Sequence, residues 1–574
     1  MDLSYKKNDN ADLFSTLVKK ELLNVSGPQN YVPLYSKFFT LSDNNFNNIN
    51  LNNSLSLVSI ENRESENKYS GTVIDEKGET KERKIFFKLS PLLDPTKYMI
   101  GKYDLSNTNL LKLPLLGDDS SHPKVRDPNN SAYVDSFFTY LTSQLLHKHA
   151  FIHGVDFFGS FLAIKNDYSV NISDDIEYLN ESPFFHKNKG SLFTIDNTFQ
   201  MDFLNYDTRN YKKKLNLSPL DSDSAHIELA NIDDLEKLGD IFYEGENSAI
   251  GNPPSVIFEN HNIKNIESAS STASDCSSRS SNTDNEDSEN DEDSGNDEEN
   301  DSDDQTSYSE CSTATEDEFT AKLTSFPVQV ISLERCEKTL DSLIVNNELS
   351  EEEWTSIIIQ ILMILITFQK SFGLTHNDLH TNNIMYISTD KQYLFYKVNN
   401  KHYKVPTFGK IFKIIDFGRA IYKFRGNIIC SDSFHSKGDA STQYNCEPYF
   451  NEKKPRLEPN LSFDLCRLGC SLFDFIVDDI EKIDEIKSPI ENIIINWCKD
   501  DKGRNIMYKN NGEERYPEFK LYKMIARTVH NHIPQEVLNN PYFERYQISK
   551  KKIKTQKIMN IDLYPSYIEL NPKN

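Results

Sequence analysis

His376-Asn377-Asp378-Leu379-His380-Thr381-Asn382-Asn383 is the stretch on which the reading of this chain turns. An aspartate followed five residues later by an asparagine suits phosphoryl transfer. The carboxylate can accept or orient an acceptor hydroxyl, and the carboxamide oxygen can hold a metal. The strand-like run Ile384 to Ile387 follows directly. Further on, Lys413-Ile414-Ile415-Asp416-Phe417-Gly418 places a second carboxylate at the end of an apolar strand, with a glycine to turn the chain. A Mg²⁺ that bridges nucleotide phosphates needs an oxygen ligand of this kind. Upstream, Ser350-Glu351-Glu352-Glu353 reads as a capping box, and the apolar run behind it predicts a buried helix over residues 350–370 that Gly373 ends.

Working outward, the first half of the chain reads as strands with one long helix. Leu55–Ile60, Tyr69–Ile74 and Lys84–Leu89 are rich in aliphatic, aromatic and β-branched residues. In Ser131 to His149, Tyr133, Phe137, Leu141 and Leu145 recur at helical spacing. Val155–Ile164 and Val328–Leu333 predict two more strands. After the motif the apolar runs Phe463–Val477 and Pro489–Trp497 are helical. This order predicts an α+β chain of two lobes, a small one over residues 55–333 and a larger helical one over residues 334–548. Residues 1–54 read as a polar, Asn-rich extension, and residues 549–574 as a basic tail around Lys550, Lys551, Lys552, Lys554 and Lys557. Residues 267–320 are Ser-, Asp- and Glu-rich. Between Ser271 and Thr320 there are 18 acidic residues against one arginine. So little apolar surface does not offset chain entropy, so a disordered insert in the small lobe is expected, with regular structure resuming at Pro327.

That insert carries most of the net charge of −25. A nucleic-acid binder is disfavoured, because phosphate neutralisation needs a Lys/Arg surface. The eight cysteines form no C-x-x-C pair and read as reduced packing residues. Met1 to Lys20 lacks the apolar core of a signal peptide. The run Ile357 to Phe368 is too short to span a bilayer. A soluble, cytoplasmic protein without membrane contact is expected.

The pair of motifs, His376-x-Asp378-x-x-x-x-Asn383 and then Asp416-Phe417-Gly418, resembles the protein-kinase-like superfamily. Ser462-Phe463-Asp464-Leu465-Cys466-Arg467-Leu468-Gly469 is similar to the start of the central helix of the kinase large lobe, where a buried Asp braces the catalytic loop. Asn540-Pro541-Tyr542-Phe543 is similar to the segment opening the last kinase helix. The Asp378-Leu379-His380 loop, the long spacing from Asn383 to Asp416 and the hairpin around Asn399-Asn400 resemble haspin-type kinases. Kinase-like proteins of large DNA viruses are also similar, which suits the Asn/Lys bias and would place the protein in a host cytoplasm or a virion.

The resemblance implies a two-lobed kinase-like fold and an ATP- and Mg-dependent transfer to Ser/Thr hydroxyls of a protein substrate, the acidic stretch suiting a basic one. It implies Asp378 as the catalytic carboxylate, Asn383 and Asp416 on the metal and on the nucleotide, and Lys88 on the α/β-phosphates. It also implies Gly71, 17 residues before Lys88, as the last glycine of the phosphate loop. Glu334 to Glu337 falls at the adenine-binding hinge. Asp135 is the one carboxylate that the Ser131–His149 helix offers as a partner for Lys88. His380 stands where most such kinases carry a lysine, and is read either as a γ-phosphate contact or as a packing residue. Asn377 replaces the Arg that pairs with a phosphorylated activation loop, which disfavours that control. The earlier loop glycines are absent, with Glu66 and Lys68 in their places. Two rival readings follow: an inactive pseudokinase scaffold, and a small-molecule phosphotransferase of the aminoglycoside or choline kind.

Overall fold

Two successive hairpins of β-branched and aromatic residues start the large sheet. In the computed structural model, which describes residues 1–195, 319–517, 519–553 and 558–569, Leu55–Ser65, Lys68–Asp75 and Thr80–Pro91 pair antiparallel in chain order. Thr80–Pro91 then pairs with Thr320–Glu334, which pairs with Phe157–Asn171, and that strand with Val25–Gln29. Phe193–Ile195 completes the seven strands along the far half of Thr320–Glu334. The Ser131–His149 helix packs across this sheet, with Tyr140 against Phe157 and Ser136 Oγ 3.1 Å from Ser160 Oγ. The chain is thus a mixed α+β protein with predominantly antiparallel sheets.

The helix ahead of the motif forms at Glu351–Phe372 for the reason its sequence suggests. Ser350 and Glu353 close a reciprocal capping box, and Gly373 ends the helix in the left-handed region at φ 60°. Almost every side chain from Trp354 to Phe368 is buried. The whole helix is long and apolar enough to cross a membrane, unlike the shorter run read from the sequence, yet 89% of its most apolar window is buried inside the protein. It lies against the Lys410–Ile414 strand, where Gln360 Oε1 accepts the Phe412 N–H at 3.1 Å, and that strand pairs antiparallel with Ile384–Ser388. Between those two strands, Tyr393–Val398 and Lys401–Pro406 form the expected hairpin, with Asn399 and Asn400 both at positive φ, as a tight two-residue turn requires.

Four expectations change. First, residues 1–54 are no extension. Val25–Gln29 is an edge strand of the large sheet, and Leu13, Leu17, Leu23, Leu34 and Ile49 are buried. The asparagines here act as backbone substitutes: Asn47 Oδ1 accepts from the Asn30 and Tyr31 N–H groups, and Asn52 Oδ1 from Ser4 N and Tyr140 OH. Second, residues 549–574 are not a free basic tail where they are described. Met559–Asn560 pairs parallel with Tyr396–Lys397, and Tyr567 stacks on Phe372 and bonds His149. Buried Ile561, Tyr564 and Tyr567 outweigh the lysines upstream.

Third, regular structure resumes at Thr320 rather than Pro327, because buried Ala321 and Leu323 alternate with polar Thr320, Lys322 and Thr324 in strand fashion. The rest of the expected insert, and Cys276 and Cys311 within it, lies outside the described residues. The described strands on either side of residues 196–318 stand side by side, Ile195 opposite Ala321. Fourth, Pro541–Tyr546 is a 3₁₀ turn and opens no long helix.

His153 ties the segment after the Ser131–His149 helix to the Lys410–Ile414 and Tyr393–Val398 strands, and its burial should make stability depend on pH. One ring nitrogen lies 2.7 Å from Phe412 O and the other 2.7 Å from Tyr396 OH. Burial holds its pKa down at about 3, and that of His380 at about 4. In the unfolded chain both histidines take up a proton near pH 6.5; in the folded chain they do not, so stability falls as pH drops from 6.5 towards 4. Each should cost about 2 kcal/mol at pH 5 relative to neutral pH. Urea unfolding at pH 7, 6 and 5 reads the slope, and a flat profile would contradict it.

Candidate active site

Three charged side chains from three distant elements converge at one point. Lys88, on the Thr80–Pro91 strand, lies 2.8 Å from Asp135 Oδ2 and 3.0 Å from Asp416 Oδ1. Asp135, on the Ser131–His149 helix, is one methylene shorter than a glutamate, and the helix still brings it into direct contact. Its other oxygen accepts the Phe417 N–H at 2.8 Å. Burial raises the Asp135 pKa, Lys88 opposes that, and the nearby Asp416 charge adds to it. Asp416 sits at φ 65°, a left-handed conformation that aspartate tolerates better than most residues. The Phe417 ring beside it is buried, 4.5 Å from Phe138 and 5.3 Å from His376 between ring centroids.

The His376–Asn383 loop is held from beneath. Asp464, buried at the start of the Phe463–Ile476 helix, accepts the N–H groups of His376 and Asn377, both at 2.9 Å. Asn377, also at positive φ, donates to Arg419 O and accepts from Tyr444 OH at 2.8 Å. The loop is tied to the Asp416 strand as well: Ile415 N–H donates to Asn383 O at 3.0 Å, and a His376 ring nitrogen lies 2.9 Å from Ile415 O.

Within this loop Asn383 spends its amide nitrogen on Asp378 O at 2.9 Å and on His380 Nε2 at 3.0 Å. Among the described residues no chain donor takes its carboxamide oxygen. His380 is neutral at pH 7, with burial lowering its pKa and Asp378 opposing this. It therefore orients Asn383 and does not offer the positive charge that a lysine in its place would. Asp378 accepts the phenol of Tyr522 at 2.9 Å. Burial works to raise its pKa, but His380, Arg419 and Arg467 outweigh it and hold the carboxyl at about 2. Asp378 is therefore ionised at any physiological pH.

Two residues expected at the nucleotide have structural partners of their own. Gly71 lies inside the Lys68–Asp75 strand, as the strand-like run Tyr69–Ile74 predicts. A Cβ there would meet Ser59 O at 2.4 Å and Ile85 Cδ1 at 2.8 Å, so close strand packing requires the glycine. The turn before that strand is Glu66-Asn67, with Asn67 at φ 62°. Glu334 pairs through its carboxylate with the buried Lys413 and accepts the Asp156 N–H at 2.7 Å. Its own N–H donates to Asp156 O, and those of Arg335 and Glu337 to Lys84 O and Tyr386 O. Among residues 334–337, the Cys336 N–H is the donor left for a ligand.

Asp432 is a contact that no local pattern announced. Its carboxylate pairs with Lys124 and accepts the Ser131 N–H at 3.0 Å, fixing the first turn of the helix that carries Asp135. Asp432→Ala should cost ~2 kcal/mol or more, below the usual figure for a broken buried pair because Lys124 is part-exposed. Asp432→Asn, which keeps the acceptor for Ser131, should lose less. Urea unfolding of both variants checks this, and a loss under about 0.5 kcal/mol in the alanine variant would leave Asp432 in the range of an ordinary surface residue.

Among the described residues no three His, Cys, Asp or Glu side chains converge to bind a metal by themselves. A Mg²⁺ bound with nucleotide phosphates takes only one or two protein ligands. The Asp416 carboxylate and the free Asn383 oxygen fit that need, and Lys88 fits a phosphate. Compared with known proteins, the chain matches no family model and no curated protein.

Proposed function

We propose that this protein is an ATP- and Mg²⁺-dependent protein kinase of the two-lobed kinase-like fold that transfers the γ-phosphate to Ser/Thr hydroxyls. The observation that carries this reading is Lys88 held between Asp135 and Asp416. Bound Mg·ATP supplies the phosphoryl group and the divalent charge. Lys88 is placed to take phosphate oxygens, with Asp135 keeping its ammonium fixed. Asp416 and the Asn383 oxygen hold the cation. Asp378 receives the acceptor hydroxyl, and its ionised carboxylate orients that group for attack without needing a high proton affinity. Most of the catalysis is positioning and charge neutralisation, which suits groups this well braced.

The test is transfer of labelled phosphate by the purified full chain, with Mg²⁺, to histone, casein or basic peptides, and in parallel to choline and aminoglycosides. Label on Ser/Thr of protein supports the reading, whereas label on the small alcohols alone turns it to a small-molecule phosphotransferase. A second reading, an inactive scaffold, draws on Gly71 serving strand packing and on the glycine-free turn at Glu66-Asn67. Such a scaffold would give no Mg²⁺-dependent shift in melting temperature with ATP and no transfer.

A further inference from the structure

The Phe519–Thr528 helix brings Tyr522 to the proposed catalytic carboxylate. The direction of its hydrogen bonds is forced. Arg467 Nε donates to the phenol oxygen at 2.9 Å, and an arginine can donate but never accept. The phenol proton is therefore free to go to Asp378 Oδ1, 2.9 Å away. The ring has little room to turn. It lies parallel to Phe519 at 5.2 Å, with the Arg467 and Arg419 guanidiniums 5.1 and 5.7 Å from its centroid.

We propose that Tyr522 is a positioning residue for Asp378, occupying Oδ1 so that Oδ2 alone faces the acceptor hydroxyl. This rests on the kinase reading of the same site. Among the described residues no chain donor reaches Asp378 Oδ2, so the carboxylate has one oxygen anchored and one open. An unanchored carboxylate rotates and spreads its lone pairs over many directions. Anchoring one oxygen removes that freedom before the substrate arrives, which is where orientation contributes to rate. A tyrosine that merely plugged the site would compete with substrate, and removing its hydroxyl would then speed the reaction. A tyrosine that was itself the acceptor would be found phosphorylated.

The test compares full-length wild type with Tyr522→Phe, which keeps the ring stack and loses only the hydroxyl. The expected result is a fall of about tenfold in kcat for the peptide, with the KM for ATP and the ATP-induced melting shift unchanged. Arg467→Lys, which removes the donor that orients the phenol but keeps a cation, should repeat this split in milder form, and keeps the question answerable if Tyr522→Phe is poorly folded. An unchanged or raised kcat in Tyr522→Phe overturns the proposal, as does phosphate on Tyr522 of the wild type after incubation with ATP. A loss of ATP affinity matching the loss in kcat assigns Tyr522 a merely structural role and overturns it too. Those outcomes leave the kinase reading standing. Absence of any transfer by the wild type overturns that reading and this role with it.

Discussion

On the proposed kinase reading, Asp416→Asn is expected to lower phosphoryl transfer by at least about 10²-fold while leaving the fold intact, because a bound Mg²⁺ would lose its main charged ligand where charge develops. Asparagine is the informative choice. Asp416 sits at φ 65°, where alanine would add backbone strain and asparagine would not. The fold should hold because Lys88 keeps Asp135 at 2.8 Å. Transfer assays under Mg²⁺, with a thermal melt of the same preparation, measure both halves. Turnover near that of the wild type would sink the kinase assignment.

Lys88→Met should be costly in both activity and stability. It removes the ammonium between two carboxylates whose side chains are only 3% and 9% exposed. Leaving a buried charge without its partner typically costs ~3–5 kcal/mol, and this site is of that kind. The loss should be smaller at pH 5 than at pH 7. Burial already raises the Asp135 pKa, and without Lys88 opposing it the carboxyl moves higher and protonates sooner as pH falls. Lys88→Met combined with Asp135→Leu should recover much of the stability, since an apolar pair can replace a buried ion pair, but none of the transfer. Denaturation midpoints at the two pH values, beside the transfer assay, separate these effects. Equal stability of Lys88→Met and wild type at pH 7 would show that the charges are better solvated than their burial implies.

The elements read most directly from the chain are those set by rules acting over a few residues. Ser350 and Glu353 are three residues apart and cap their helix within that span. The Asn399-Asn400 turn and the repeats from Tyr133 to Leu145 belong to the same class. Reading went astray where composition was taken for conformation. The asparagines of residues 44–53 look like loop, yet their amides stand in for backbone partners. The lysines of the last segment hide the buried Met559, Ile561, Tyr564 and Tyr567, and the acidic neighbours of Thr320 hide a strand's alternation.

From the order of residues alone came the candidate carboxylates Asp378 and Asp416, the amide of Asn383 and the lysine at 88, since each stands in a short motif or ends an apolar strand. Tertiary structure decided which of them meet, and through what. Asp135 reaches Lys88 only because a helix crosses the sheet at that height, and burial of the loop lowers the His380 pKa against the pull of Asp378. Tyr522 stands 144 positions from Asp378 and carries no local signature, and Asp432 reaches back 301 positions to Ser131. The physical reason is common to all four: contact across such separations is set by how whole elements pack, and packing depends on the combined shape and burial of many side chains, which no short window of sequence contains.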